Sequence, residues 1–403
     1  MVIAHVITRL LRAGSEENTI SSCLSQARAG HEVLLIHGEE WSADQAARCH
    51  PHIKVIELRE MVHAVNVRKD IRATQTMAAL FRQTRPTIVH THQSKAGIIG
   101  RIAARLAHVP VVVHGVHIVP FASVGALQKL TYLAAERAVA GYTDAYINVS
   151  EGTRQTYIDN SIGRPEQHFV AHSGFDVRSF QTATPPDDWR QMCGVDSVAQ
   201  KPPVILMLAA LEERKRHMAF IEAFTRIKTR IPDAKLVLAG EGPMRKEITA
   251  TIARLGLESS VKLLGFHPQP ERLIALADVT VLTSLREGLP RVVVQSLAGG
   301  KPVVTTRLPG IEDLVAHDVN GLVMPEDDFH ATADAIAELL LSEERLQRMQ
   351  HYARQTDVSS WDVESMCQTL TEIYGRFVPD GPVQNANETV ALERASRPHR
   401  VSA

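Results

Sequence analysis

The sequence predicts an α/β protein built from two doubly wound, Rossmann-like domains facing across a cleft. Short β-branched runs alternate with helical patterns along almost the whole chain, which is the signature of βαβ units. At 403 residues the chain is too long for one ordinary core. A Pro-rich, polar stretch over residues 182–201 divides the strand candidates into two sets, each large enough for its own parallel sheet.

In the first half, apolar β-branched runs at 2–7, 32–36, 87–90, 109–113 and 145–149 predict strands with helices between them. In the second half the strand candidates are 204–208, 235–239, 261–264, 279–283, 302–305 and 321–323. This organisation gives an N-terminal domain over 1–181, a linker over 182–201 and a C-terminal domain over 202–358. A final helix in 359–378 carries Trp361, Met366, Leu370, Ile373 and Phe377 near helical spacing, a core-packing pattern. Residues 379–403 offer little to bury and read as a disordered tail.

Composition excludes several classes of function. Hydrophobic content of 44% and charged content of 22% are those of an ordinary globular chain, and no apolar run is long enough to span a bilayer. Cys23, Cys49, Cys193 and Cys367 lack metal or disulfide spacing, and a reducing cytoplasm suits them. Between residues 61 and 105, Arg68, Lys69, Arg72, Arg82, Arg85, Lys95, Arg101 and Arg105 face a single acid, Asp70. Such a basic region is either a solvated helix face or an attraction for an anionic acceptor or acidic lipid headgroups. Aromatic residues do not interleave with these bases, so nucleic acid is not the expected partner.

Ligands of open α/β sheets bind beyond the carboxyl ends of the strands, so the loops there are the candidate site. After the first strand, Gly14 allows close backbone approach and Ser15 is placed to cap a helix. Later loops present His92, Lys95, His114 and His117. His90 and His92 stand two apart at a strand end, but no carboxylate or cysteine completes a metal set, and no metal is expected. The densest signal is SLREGLPRVVVQSLAGGKPVVTTRLPG, a strand-loop-helix-strand unit. Pro290 suits the first helical position, and the backbone NH groups near Gly288 and Leu289 would face a diphosphate, leaving Glu287 to read sugar hydroxyls.

Taken in order, HVITRLLRAGSEEN, GHEVLLI, HTHQSKAGIIGRIAARLAHVPVVVHGVH, TDAYINVSE, SGFDVRSF, LAGEGPMRKEI, LLGF, ADVTVLTSLREGLP, PGIEDLV and NGLVMP resemble the retaining family-four (group 1) glycosyltransferases of the GT-B fold over residues 3–374. The resemblance implies that Glu287 contacts the donor sugar, that Gly288 and Leu289 meet the diphosphate, and that Gln295 holds the ribose where relatives carry glutamate. It also gives Lys215 to the phosphates, with Ala210 where relatives have arginine, so a guanidinium would come from Arg214 or Arg216. His117 lies near the donor sugar, Gly14 lies beneath the diphosphate, and the base sits near Gly265 and Phe266.

The implied reaction moves a sugar from a nucleoside-diphosphate sugar, a UDP- or GDP-sugar, to a glycan, lipid-linked or small-molecule acceptor with retention. No cofactor or metal is implied. His117, Glu287 and Lys215 are the implied catalytic set, and Ser15, His92, Lys95 and His114 are placed on the acceptor side. The setting is bacterial surface polysaccharide, lipopolysaccharide or glycolipid synthesis, in the cytoplasm or at the inner face of the plasma membrane. A nucleotide-sugar epimerase and a catalytically silent GT-B binding protein are the alternatives.

Overall fold

The structure is a computed structural model that describes residues 1–11, 14–49, 51–121, 124–195, 201–287, 290–308 and 310–378. Two compact units make up the chain, Met1–Gly174 with Val363–Ala403, and Phe175–Asp362.

The first unit holds a seven-stranded sheet of β1 (Val2–Ile7), β2 (Glu32–His37), β3 (Lys54–Glu57), β4 (Ile88–His92), β5 (Val111–Val116), β6 (Ala145–Asn148) and β7 (His168–Val170), in the order β3-β2-β1-β4-β5-β6-β7. Every pairing in it is parallel. Strands covered on both faces are mostly apolar, and β5 is buried at every residue, His114 included. Alternation along β1 sorts the faces. Ala4 and Val6 pack with Met77 and Phe81 of the helix Val67–Thr84, whereas Ile3 meets Met366, Leu370 and Ile373 of the helix Val363–Gly375. The C-terminal helix therefore completes the core of the first unit, and burying each such Leu or Ile side chain contributes about 1.5–3 kcal/mol.

The second unit holds β8 (Val204–Leu208), β9 (Lys235–Ala239), β10 (Val261–Gly265), β11 (Val279–Leu282), β12 (Val303–Thr306) and β13 (Gly321–Met324), in the order β10-β9-β8-β11-β12-β13. These strands are also parallel. Ile205 and Met207 face Phe220 and Phe224 of the helix His217–Arg230. Val204 and Leu206 face Leu273, Ile274, Val293 and Leu297 on the other side. Strand order switches direction between β1 and β4 and again between β8 and β11, the places where this architecture opens a crevice.

Some sequence expectations need adjustment. β3 and β7 were not expected. Phe175 and the helices Val177–Thr182 and Trp189–Cys193 pack into the core of the second unit, so that unit begins before the expected linker. Apolar Phe175, Val177 and Phe180 outweigh the polar residues that follow them. The expected surface base Arg101 is fully buried, with Nη2 2.6 Å from Glu136 Oε2. Residues 196–200 and the expected disordered tail, 379–403, lie outside the described residues.

Candidate active site

In the second unit the site is built by the loops after β8 and β11. The first closes in a short 3-10 turn, Glu213–Lys215, before the helix His217–Arg230. The second runs through Thr283 and Ser284 to Glu287. Thr283 Oγ1 donates to the Lys215 carbonyl at 2.8 Å, and the Leu285 amide donates to the Arg214 carbonyl at 2.9 Å. Stitched in this way, the loops bring Lys215 Nζ into an ion pair with Glu287. Arg214 Nη1 lies 3.2 Å from both carboxylate oxygens, while its Nε reaches Glu212 Oε2 at 2.7 Å.

Both members of the pair are nearly enclosed, with 10% and 11% of their side chains exposed. Burial alone would push the Glu287 carboxyl up, but Lys215, Arg214 and the Ser284 hydrogen bond outweigh it and hold the carboxyl below its usual range. Burial dominates for Lys215 and lowers its ammonium, with Arg214 adding to the effect and Glu287 opposing it. The cluster is a tight group of charges at a switch point. Two of its members are cations of the kind that can oppose developing negative charge.

Of the two arginines left open by the sequence, Arg214 is the one beside Glu287. Arg216 sits in the left-handed region at φ 60°, pairs with Asp327 at 2.6 Å and lies over the Phe329 ring at 4.4 Å. Ala210 supplies no cation. Pro290 precedes the helix Arg291–Ala298 as its cap rather than opening it, and Glu287 stands outside that helix, whereas Gln295 lies within it. Gln295 is half-buried. Gly288 and Leu289 lie outside the described residues. At the end of β10, Gly265 takes φ 76°, and a Cβ there would come within 2.6 Å of Glu241 Oε1. The next residue, Phe266, is 48% exposed.

In the first unit the loops after β1 and β4 are joined by Gln93, which the sequence reading missed. Its Oε1 accepts from the amides of Thr8 at 3.1 Å and Arg9 at 3.3 Å, and its Nε2 donates to Ser15 Oγ and Glu16 Oε1, both at 3.2 Å. Gly14 opens the helix Gly14–Arg28. Ser15 Oγ donates to Glu16 Oε2 at 2.6 Å. Burial raises the Glu16 carboxyl above its usual range.

The histidines form a cluster. His5, His90, His92 and His114 are at most 2% exposed, and His117 is half-buried. His5 Nε2 lies 2.8 Å from Gln26 Oε1, His5 Nδ1 lies 2.9 Å from His92 Nε2, and His92 Nδ1 lies 3.0 Å from His117 Nε2. His90 Nδ1 is 2.6 Å from the Tyr374 hydroxyl, and its Nε2 has no partner. Nitrogens of His5, His90 and His92 fall within 4.8 Å of one another. Burial first, and neighbouring imidazoles second, push His90 and His92 well below the usual imidazole range, so both stay neutral.

Two expectations for the acceptor side change as a result. His92 is enclosed with both ring nitrogens engaged, and His114 is enclosed with Nδ1 3.0 Å from Thr91 Oγ1 and its ring against Gly97, so neither ring faces an acceptor. Lys95 is held by Asp70 at 2.6 Å and by the Ala64 carbonyl. His117 and Ser15 remain partly accessible.

Comparison with known proteins agrees with this architecture. Residues 19–174 match the glycosyl transferase 4-like domain, and residues 195–356 match the glycosyl transferases group 1 domain. The chain belongs to the group 1 glycosyltransferases. An Escherichia coli UDP-Gal:alpha-D-GlcNAc-diphosphoundecaprenol alpha-1,3-galactosyltransferase is 27% identical over 77% of this chain and 80% of its own length. The Staphylococcus aureus capsular polysaccharide biosynthesis glycosyltransferase CapM is 23% identical over 80% of this chain and 86% of its own. The structure of Anabaena HepE in complex with UDP superimposes with a TM-score of 0.78 over 93% of this chain and all of that one, at 22% identity, and shows the shared GT-B fold. Among the described residues, no helix of this glycosyltransferase is long and apolar enough to cross a membrane.

Proposed function

We propose that this glycosyltransferase transfers a sugar from a nucleoside-diphosphate sugar, a UDP-sugar first, to a lipid-linked saccharide with retention of anomeric configuration. The observation carrying this reading is the convergence of Arg214, Lys215 and Glu287 at the β8/β11 switch point. Two cations there oppose the charge that grows on the departing diphosphate, and Glu287 supplies acceptor oxygens for sugar hydroxyls. Gly265 and Phe266 border the base and Gln295 receives a ribose hydroxyl, all within the second unit. His117 is the first unit's candidate imidazole for the reaction. Attack on the face the diphosphate leaves, assisted by that phosphate, needs no enzyme nucleophile.

A lipid-linked acceptor is supported by the E. coli relative, whose name specifies a diphosphoundecaprenol substrate. Exposed Val65, Val67 and Ile71, beside Arg68, Lys69 and Arg72, supply an apolar and basic surface suited to the headgroup region of an anionic bilayer at the inner face of the plasma membrane. The process served is bacterial surface polysaccharide synthesis. Incubation with UDP- and GDP-sugars and a polyprenyl-diphosphate-linked saccharide tests the reading. The product anomeric coupling should match that of the donor. Inversion would remove the retaining mechanism, and donor binding without transfer to any lipid-linked acceptor would remove the acceptor class.

A further inference from the structure

We propose that Gln26, His5 and His92 act as a positioning relay that fixes His117 as its Nε2–H tautomer and leaves the Nδ1 lone pair of His117 free to accept a hydrogen bond from a hydroxyl of a bound sugar or acceptor. The part played by His117 rests on the glycosyl-transfer reading. The relay itself rests on geometry within the first unit.

The chain of bonds has one direction once its first partner is set. Gln26 Oε1 only accepts, so His5 Nε2, 2.8 Å away, carries the proton. A neutral His5 then has a bare Nδ1, and His92 Nε2 must donate across the 2.9 Å contact. His92 is in turn bare at Nδ1, and His117 Nε2 donates across 3.0 Å. Gln26 also bonds to Tyr374 through its side chain, which ties the far end of the relay to the C-terminal helix. Among the described residues no hydrogen bond engages His117 Nδ1. The relay holds only while its rings are neutral, and burial keeps His5 and His117 so, each lowered to about 4.

The fold protects this alignment. Gly115 faces the cluster, and a Cβ there would lie 2.9 Å from His92 Nδ1, 3.1 Å from His90 Nε2 and 3.2 Å from His117 Nε2. A metal held by His5, His90 and His92 is the competing use of the same nitrogens. It would bring a divalent charge into a site whose ring partners are Gln26, Tyr374 and His117, with no carboxylate among them to offset it.

Nitrogen-15 NMR of the full chain labelled at histidine reads the tautomers directly, with the His117 signals assigned by their loss in His117→Gln. Wild type at pH 7 should show His117 as a single neutral form protonated at Nε2. Folded His92→Phe or Gln26→Leu should turn it into a mixture of tautomers. A wild-type His117 protonated at Nδ1, a mixture in wild type, no change in the folded variants, or a stoichiometric zinc ion in the purified protein would each overturn the relay. If the variants do not fold, the wild-type spectrum alone decides. No donor or acceptor is needed, so failure of the relay and failure of the transferase reading are separate results.

Discussion

Lys215 and Glu287, 72 residues apart in sequence, are joined as an ion pair where β8 and β11 diverge, and Arg214 closes on the same carboxylate at 3.2 Å. In a site this enclosed, removing one partner leaves the other charge uncompensated. Glu287→Gln should therefore cost roughly 3–5 kcal/mol of unfolding free energy. Adding Lys215→Met should recover part of that loss. Chemical unfolding of the two single variants and the double variant forms the cycle, and strictly additive losses would show that the pair is not coupled.

The two neighbouring arginines should separate in function. Arg214 touches the Glu287 carboxylate, whereas Arg216 is committed to Asp327 and the Phe329 ring. Arg214→Ala is expected to weaken binding of the preferred nucleoside diphosphate about tenfold or more, close to 1.4 kcal/mol. Arg216→Ala should change it less than threefold. The reverse ranking by calorimetry would assign the phosphate-facing cation to Arg216.

Acid should destabilise the protein through its histidines. The unfolded chain protonates each imidazole below about pH 6.5, the ordinary value, whereas burial keeps His5 neutral down to about 4 and lowers His90, His92 and His114 well below 6.5. Unfolding thus takes up protons in this window. Stability is full above pH 6.5 and falls as pH drops, each such group contributing a slope of up to about 1.4 kcal/mol per pH unit. His90→Phe should reduce the proton uptake measured near pH 5.5 by about one. An unchanged slope would mean that His90 is already protonated in the fold.

Gly115→Ala should disturb the imidazole cluster while leaving the second unit intact. The added methyl would fall 2.9–3.2 Å from three ring nitrogens, an overpacking cost of about 1–3 kcal/mol. Changed histidine NMR signals with unchanged UDP affinity is the expected pair of observations. Unperturbed imidazole signals would show that the cluster has room to relax.

How far the sequence could be read depends on the range of each interaction. Long apolar runs announced most strands, and the expected and observed limits of β1, β8 and β9 coincide. β3 and β7 escaped because they are short edge strands, KVIE with a charge at each end and HFV with only three residues. At the site, Glu287 and Lys215 stood out by local motif, but their contact depends on a loop stitched by Thr283 and Leu285. The sequence pattern puts Pro290 one position too far into its helix, which starts only at Arg291. His5 and Gln26 carried no signal of their own. His5 joins the cluster only because β1 pairs with β4 so that His5 lies opposite His90.

Calorimetric titration of wild type and Glu287→Ala with UDP-, GDP-, ADP- and dTDP-sugars tests the central claim most directly. Micromolar binding of one donor, weakened at least tenfold by the substitution, about 1.4 kcal/mol, is the result expected if Arg214, Lys215 and Glu287 form the donor site. Binding by none of the four, or undiminished binding by the variant, would contradict it.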